Sequence, residues 1–485
     1  MGLKRLNRQW TTWHRRLFWG WWRLCALGCL IGGVQAGEAS WPQFRGPNGS
    51  GVGEGSFPVH FGPETNLAWS VAAPSGSASP CVYGNRLFLV GREENRLVTV
   101  CLDRTTGKVL WTSELSPDRI QQRSGASNPD ASTPCTDGQR LYVYFGSFGL
   151  VAYDFDGREL WQKPLPTPVT QHGTGSSPVV VDGKLILVCD QDAESYLLAV
   201  DTRTGQTVWR TPRPDARRGF STPLLWPPAA PSVVVVAGTL RLVAYRIDGG
   251  REEWSVEGLP NEMVASPTSD GETIYVAGWT PGAGVSQMPS FDDLLTQADQ
   301  DHDSRLSQAE APPGPAKHHF QYIDANRDGF IDRGEYEGMA SIFQRSQNAM
   351  LAVQPGVSGK ESAPIVRWKQ TRGLPYVPSP LCHQGRVWVV KNGGLISCYD
   401  ARTGRSLFQE ERLDSLGDYY ASPVAAGDRV CVISQPGTAV VLRSGDSLEI
   451  IARNTLGEPV LATPAIAGGC LYIRTQRRMM AFREE

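Results

Sequence analysis

A Ser/Thr-Pro pair, followed by a tight turn and a β-rich run, recurs down this chain with its proline at Pro80, Pro134, Pro178, Pro223, Pro267, Pro380, Pro423 and Pro464. Neighbouring markers lie 54, 44, 45, 44, 113, 43 and 41 residues apart. All but one interval match a four-stranded repeat, and the long one carries an insertion of about 70 residues. Within a unit the order is strand, glycine-bearing turn, strand, short loop, strand, Asp-x-x-Thr-Gly turn, and a last strand closing on a large apolar side chain. Eight such units predict an all-β, eight-bladed β-propeller of four-stranded antiparallel blades.

The turn glycines are Gly84, Gly138, Gly183, Gly271, Gly385 and Gly427 in the first hairpins, and Gly107, Gly157, Gly205, Gly250, Gly404 and Gly445 in the last. All are expected at positive φ, where a side chain clashes with the backbone. The closing side chains are Trp111, Trp161, Trp209, Trp254, Trp368 and Phe408, with Ile450 in the seventh unit, and the rings are expected to be buried between blades. The eighth unit stops after Phe482 without a fourth strand, which leaves an open edge. Residues 67–71, with Trp69 where the other units keep their tryptophan, have the shape of the missing strand and are expected to close the ring.

The chain has 485 residues, 40% hydrophobic and 20% charged, a globular composition. Its 47 basic and 49 acidic residues give a formal charge of -2, with no excess to draw it to nucleic acid. At the N-terminus Lys4, Arg5, Arg8, Arg15 and Arg16 precede an apolar stretch from Leu24 to Val34 and the small-residue end Val34-Gln35-Ala36. This reads as a signal peptide over 1–36, placing the chain in the periplasm or cell envelope, or secreting it, with no transmembrane domain after cleavage. A membrane anchor and lipidation at Cys29 are the alternatives. The eight cysteines beyond the leader show no C-x-x-C spacing and are read as small buried hydrophobes. The histidines show no zinc-site spacing.

The unit Leu198-Ala199-Val200-Asp201-Thr202-Arg203-Thr204-Gly205-Gln206-Thr207-Val208-Trp209 resembles the pyrroloquinoline-quinone-type propeller repeat. The opening Trp41-Pro42-Gln43-Phe44-Arg45-Gly46-Pro47 is similar to the start of many bacterial exported propellers of that family. The resemblance covers the chain from about Trp41 to Glu485 except the insertion. Enzymes of the family hold quinone at the mouth of the ring with an acidic base, calcium ligands, a stacking tryptophan and, in many, a disulfide between adjacent cysteines. No adjacent cysteines occur in this sequence, and no base or cofactor ligands match by position, so pyrroloquinoline quinone is not expected. The organisation is an N-terminal propeller part over 37–278, an insert over 279–347 in the fifth blade, and a C-terminal part over 348–485.

The insert is acidic and helix-friendly, and carries two twelve-residue windows of EF-hand form. The second places Asp324, Asn326, Asp328, the Phe330 carbonyl, Asp332 and Glu335 at the ligand positions, with Gly329 at the sixth. The first offers Asp299, Asp301, Asp303, Arg305 through its carbonyl, Ser307 and Glu310, with Ser304 in place of glycine. Calcium takes six to eight hard oxygens, which is why alternate side chains and a final glutamate are needed. Leu306 and Ile331 are expected to pair the loops, and Pro312, Pro313 and Pro315 to shorten the helix between them.

The segments leading into the Ser/Thr-Pro strands should gather at one end of the ring. They bring Arg123, His172, Arg218, Asn261, Glu262, Tyr376, Tyr419 and Tyr420 to a candidate ligand face. The resulting expectation is a non-catalytic, calcium-binding scaffold or binding propeller of the cell envelope. Its ring is similar to that of the lipoprotein that assists outer-membrane β-barrel assembly, and its partner would be a protein or another envelope component. The rivals are a quinone-dependent oxidoreductase of the alcohol or sugar dehydrogenase type and an adaptor whose partner is held by the insert.

Overall fold

Short runs of β-branched, aliphatic and aromatic residues separated by glycine turns fold into eight four-stranded antiparallel meanders arranged as blades. The computed structural model describes residues 39–121, 130–170, 172–284, 288–356 and 363–484. The leader over 1–36 and Arg123 lie outside them. The second strands Arg140–Phe145 and Val233–Ala237 illustrate the pattern, being buried on both faces almost throughout. An outer strand such as Val109–Leu115 alternates instead. The eight cysteines beyond the leader are buried free thiols.

Leu67–Ala72 pairs antiparallel with Arg478–Phe482, with Trp69 opposite Ala481, so the first strand after the N-terminal segment completes the eighth blade. Tryptophan then docks blade on blade. The indole N–H of Trp69 donates to Arg104 O at 2.9 Å, Trp111 to Phe155 O at 2.9 Å, Trp161 to Thr202 O at 3.0 Å, Trp209 to Ile247 O at 3.0 Å and Trp368 to Ala401 O at 2.9 Å. Each acceptor sits in the last turn of the next blade, and the glycine of that turn lies on the ring. A Cβ on Gly205 would stand 2.6 Å from Trp161, and one on Gly404 2.6 Å from Trp368. A register shift between third and fourth strands occurs beside the docking position in every blade, re-aiming the ring toward its neighbour.

The expected positive φ holds at every turn glycine named above except Gly445. There the turn closes from Arg443 N–H to Glu449 O, one residue longer than the Asp201 to Gln206 closure of the third blade. The sixth blade offers it Phe408 in place of an indole, so the left-handed seat is not required.

At the centre, the Ser/Thr of each Ser/Thr-Pro pair links adjacent blades. The N–H of Ser79 donates to the Thr133 hydroxyl, Thr133 to Ser177, Ser177 to Thr222, Thr222 to Ser266, Ser266 to Ser379, Ser379 to Ser422, and Ser422 to Thr463, at 2.8 to 3.1 Å. Below this ring the N-terminal segment crosses the channel. Trp41 pairs with Val82 of blade 1, and Pro42 O accepts from Thr136 N–H of blade 2. Asn48 exchanges two hydrogen bonds with Leu225 of blade 4, and Arg45 donates to Pro380 O of blade 6. Val52 bridges to Ala425 of blade 7. A segment that touches five blades from inside must span the channel.

Gly183 and Gly205 share φ +68°, but a Cβ at Gly183 meets nothing within 4 Å. Gly183→Ala is therefore expected to cost about 1 kcal/mol, the left-handed penalty alone. Gly205→Ala should cost about 3 kcal/mol, because an overpacking term against Trp161 is added. Urea midpoints of the two variants measure the difference, and equal midpoints would remove the docking account.

Candidate functional site

In an antiparallel blade, the loop into the first strand and the loop from second to third strand lie at the same end. The insert interrupts the second-to-third loop of blade 5, between Ile274–Gly278 and Ala349–Gln354, whose ends pair Gly278 with Ala349. It therefore emerges beside the candidate ligand face.

That face surrounds a cavity of about 400 Å³ in the mouth of the ring. Ser79, Ser266, Ser379, Ser422 and Thr463 of the hydroxyl ring line its wall, and Phe44 of the crossing segment closes its bottom. Four residues expected at the face, His172, Glu262, Tyr376 and Tyr420, line it together. Phe220, not foreseen, joins them beside Glu262, because its N–H donates to Met263 O at 2.8 Å. Three expectations are corrected or refined. Tyr419 is fully buried with its hydroxyl on Ser415 O, so it is core. Asn261 is a clamp, its side-chain oxygen accepting from both Thr280 and Ser346 at the two ends of the insert. Arg218 stands outside the lining, held in a buried two-pronged pair with Asp192 at 2.8 and 2.9 Å.

Burial pushes the Glu262 carboxyl up, with Asp192 adding to the rise and Arg218 opposing it. Burial, and after it the Arg218 charge, pulls His172 down. Among the described lining residues none is Lys or Arg, so the cup offers a single carboxylate amid rings and hydroxyls. Among the described lining residues no Lys or Arg would meet the carboxylates of a pyrroloquinoline quinone.

The insert has its own core, built from Phe291, Leu294, Leu306, Phe320, Ile331 and Tyr336 among others. Helix α1 (Phe291–Ala298) leads into the first acidic loop. The short turns α2 (Pro315–His318) and α3 (Phe320–Ile323) lead into the second, and α4 (Arg333–Arg345) leaves it. The break at His319 follows the proline-rich connection. Leu306 pairs with Ile331 and Ser307 with Phe330 in a two-stranded ladder between the loops.

The loops are built alike. Ser304 N–H donates to Asp299 Oδ2 and Gly329 N–H to Asp324 Oδ2, each at 3.1 Å, with Ser304 at φ +65° and Gly329 at φ +88°. Carboxylate oxygens of Asp299, Asp301 and Asp303 converge within 4.8 Å of one another. Glu335 reaches back from α4 to accept from Ala325 and Asn326 N–H, as Glu310 does from Gln300 and Ser307. The other oxygens of the two leading aspartates, Asp299 Oδ1 and Asp324 Oδ1, are buried without a hydrogen-bond partner. Buried carboxylate oxygens without donors fit a cation that completes them.

Tyr322, two residues before Asp324, is buried beneath the Arg218 guanidinium, 4.9 Å from its ring centroid. The second acidic loop is thereby connected through Arg218 and Asp192 to the cup wall, and Asn261 fixes both insert ends next to Glu262.

Eight four-stranded blades, five of them docking a tryptophan on a glycine of the next, define a pyrroloquinoline-quinone-like β-propeller. The chain belongs to the family described as outer membrane protein assembly factor BamB, which it matches over residues 62–194, 93–225 and 193–311, together just over half of its length. It is 32% identical over 140 residues to outer membrane protein assembly factor BamB of Alkalilimnicola ehrlichii, a stretch covering 28% of this chain and 33% of that protein. It is 24% identical over 115 residues to quinohemoprotein alcohol dehydrogenase ADH IIB of Pseudomonas putida, covering 23% of this chain and 17% of that one. The chain thus spans a third or less of the length of these curated relatives. The ring superposes on BamB from Moraxella catarrhalis with a TM-score of 0.53 at 12% identity, covering 86% of this chain and 99% of that one. On quinohemoprotein alcohol dehydrogenase from Comamonas testosteroni the TM-score is 0.54 at 11% identity, covering 91% and 80%. At these identities the structures establish the fold alone.

Because its folded pKa lies below the unfolded value, His172 is expected to titrate below about 6.5. The unfolded chain then takes up this proton first, so the stability the neutral ring contributes is present above that pH and declines as pH falls through the folded pKa. An NMR titration of the imidazole checks this; a midpoint above 6.5 would mean that the Asp192 charge, not burial, governs the ring.

Proposed function

We propose that this chain is an exported, non-catalytic binding propeller of the cell envelope whose inserted loops hold calcium. The observation that carries the reading is the cup. Phe44 on the crossing segment closes it below and segments of all eight blades rim it above, so it can retain a ligand but not pass one through. Membership of a family described by an envelope assembly factor supports the location and a protein or envelope partner, as does the signal-like leader. Among the described residues no helix is long and apolar enough to cross a membrane.

Calcium is the cation proposed for the acidic loops, on the strength of the donorless oxygens of Asp299 and Asp324 and the shared loop geometry. Asp301, Asp303, Ser307 and Glu310, with the Arg305 carbonyl, would complete the first site. Asn326, Asp328, Asp332 and Glu335, with the Phe330 carbonyl, would complete the second. The role proposed is structural: the ion fixes the insert against the rim. The similarity to quinohemoprotein alcohol dehydrogenases keeps a quinone-dependent oxidoreductase as the second reading, against which the anionic cup argues.

Calorimetric titration of the mature chain is expected to report calcium binding that disappears in a Glu310→Gln/Glu335→Gln double variant. Binding that persists there, or a quinone absorbance band on reconstitution, would move the chemistry to the ring and favour the oxidoreductase. Ser304 stands at φ +65°, a strain borne by the folded loop itself, so Ser304→Gly should stabilise the fold by about 1 kcal/mol. A raised urea midpoint checks this, and an unchanged one would show that the loop bears no such cost.

A further inference from the structure

Five consecutive blades set His172, Phe220, Glu262, Tyr376 and Tyr420, in that order, on the rim of the cup, and the remaining three add only the small or apolar Ser77, Ala131 and Leu461. The single carboxylate therefore has an aromatic ring on the blade before it and on the blade after it. The rings are fixed: His172 packs on Phe220 with centroids 6.2 Å apart, and Tyr376 meets Trp279 edge-on at 6.0 Å. Glu262 makes no hydrogen bond or ion pair with a described residue, and Arg218, the cation that acts on it, is committed to Asp192. A half-buried carboxylate whose neighbouring cation is already engaged is only partly compensated, and aromatic faces are negative. Both features complement a positive charge.

A metal ion does not answer to this lining. Hard cations favour several charged oxygens, whereas the described lining supplies one carboxylate, and of its hydroxyls those of Ser266, Ser379, Ser422 and Thr463 already accept N–H groups of neighbouring blades. An organic cation needs only a counter-charge and rings to receive its alkyl groups. A cavity of about 400 Å³ suits a small molecule.

We propose that the cup is a binding site for a small organic ammonium compound, with Glu262 as the counter-charge and Phe220, Tyr376 and Tyr420 as the flanking rings. This rests on the reading of the cup as a binding site and names its ligand class. The test is calorimetry on the full mature chain with choline, its neutral isostere 3,3-dimethylbutan-1-ol, and pyrroloquinoline quinone, alongside the Glu262→Gln and Tyr376→Leu variants. Choline is expected to bind, with the neutral isostere about tenfold weaker. Glu262→Gln should weaken choline about tenfold and Tyr376→Leu several-fold, with urea midpoints confirming that both variants fold. Equal binding of choline and its isostere, or choline binding unchanged in Glu262→Gln, would overturn the ligand class while leaving a binding cup in place. Binding of the quinone alone would overturn both the class and the non-catalytic reading. Binding of none of the three would overturn the proposal outright.

Discussion

Each blade of this ring ends in a strand whose outward edge faces solvent, so the assembly depends on what passes between blades rather than within them. Two contacts do this at two radii. Near the axis, the hydroxyl of one Ser/Thr-Pro residue accepts the N–H of the same residue in the preceding blade, in seven steps from Ser79 to Thr463. The proline that follows has no N–H, so the only backbone donor at this point of the chain is the one used. Farther out, an indole lies on a glycine of the next blade and donates to a carbonyl in the same turn. The first contact fixes spacing and the second fixes tilt, because a ring seated on a residue without Cβ has one approach distance. With both set, Leu67–Ala72 has a single place to pair, and the ring closes between the N-terminal and C-terminal parts of the chain.

The functional end follows from strand direction. Residues just before each Ser/Thr-Pro pair must surround the axis at one end, and the second-to-third loops must share that end. An insert in such a loop stands at the rim whatever its sequence. Its hairpin ends are already adjacent where Gly278 pairs with Ala349, so its length costs the blade little. What the sequence of the insert decides is how it is held there: Asn261 accepts from Thr280 and Ser346, Arg345 pairs with Glu257 at 2.7 Å, and Tyr322 takes the Arg218 guanidinium.

The repeat, the closing strand and the ladder between Leu306 and Ile331 were legible because each is a local pattern at fixed spacing. His172, Glu262, Tyr376 and Tyr420 were legible for a topological reason: any residue just ahead of the marker is near the mouth. The same reasoning misplaced Tyr419, since neighbours on an extended segment point opposite ways and Tyr420 takes the cavity. Phe220 left a weaker signal, an apolar residue in a polar loop. The crossing segment left none, because Trp41 to Gly53 has no period, and its partners on blades 1, 2, 4, 6 and 7 are set by the channel it fills. Gly445 failed because a one-residue longer turn looks like its relatives until the hydrogen bond that closes it is known.

The crossing segment changes what such a ring can be used for. An open channel would expose the hydroxyl ring to water from both ends, whereas Phe44 makes the mouth a blind cup that a ligand can dehydrate. Charge inside it is then screened less than on the open surface. The Arg218 charge acts on two side chains of the cup, its guanidinium lies over Tyr322, and Tyr322 stands two residues before the first oxygen ligand proposed for calcium in the second loop. An ion fixing Asp324 fixes that tyrosine, and with it the Arg218–Asp192 pair whose charges act on both Glu262 and His172. Coupling of this kind is reciprocal: whatever steadies the cup from within must also steady the loop. Blade geometry places the insert and the cup at one end, and the Arg218 guanidinium, paired with Asp192 and set over the Tyr322 ring, stands between them.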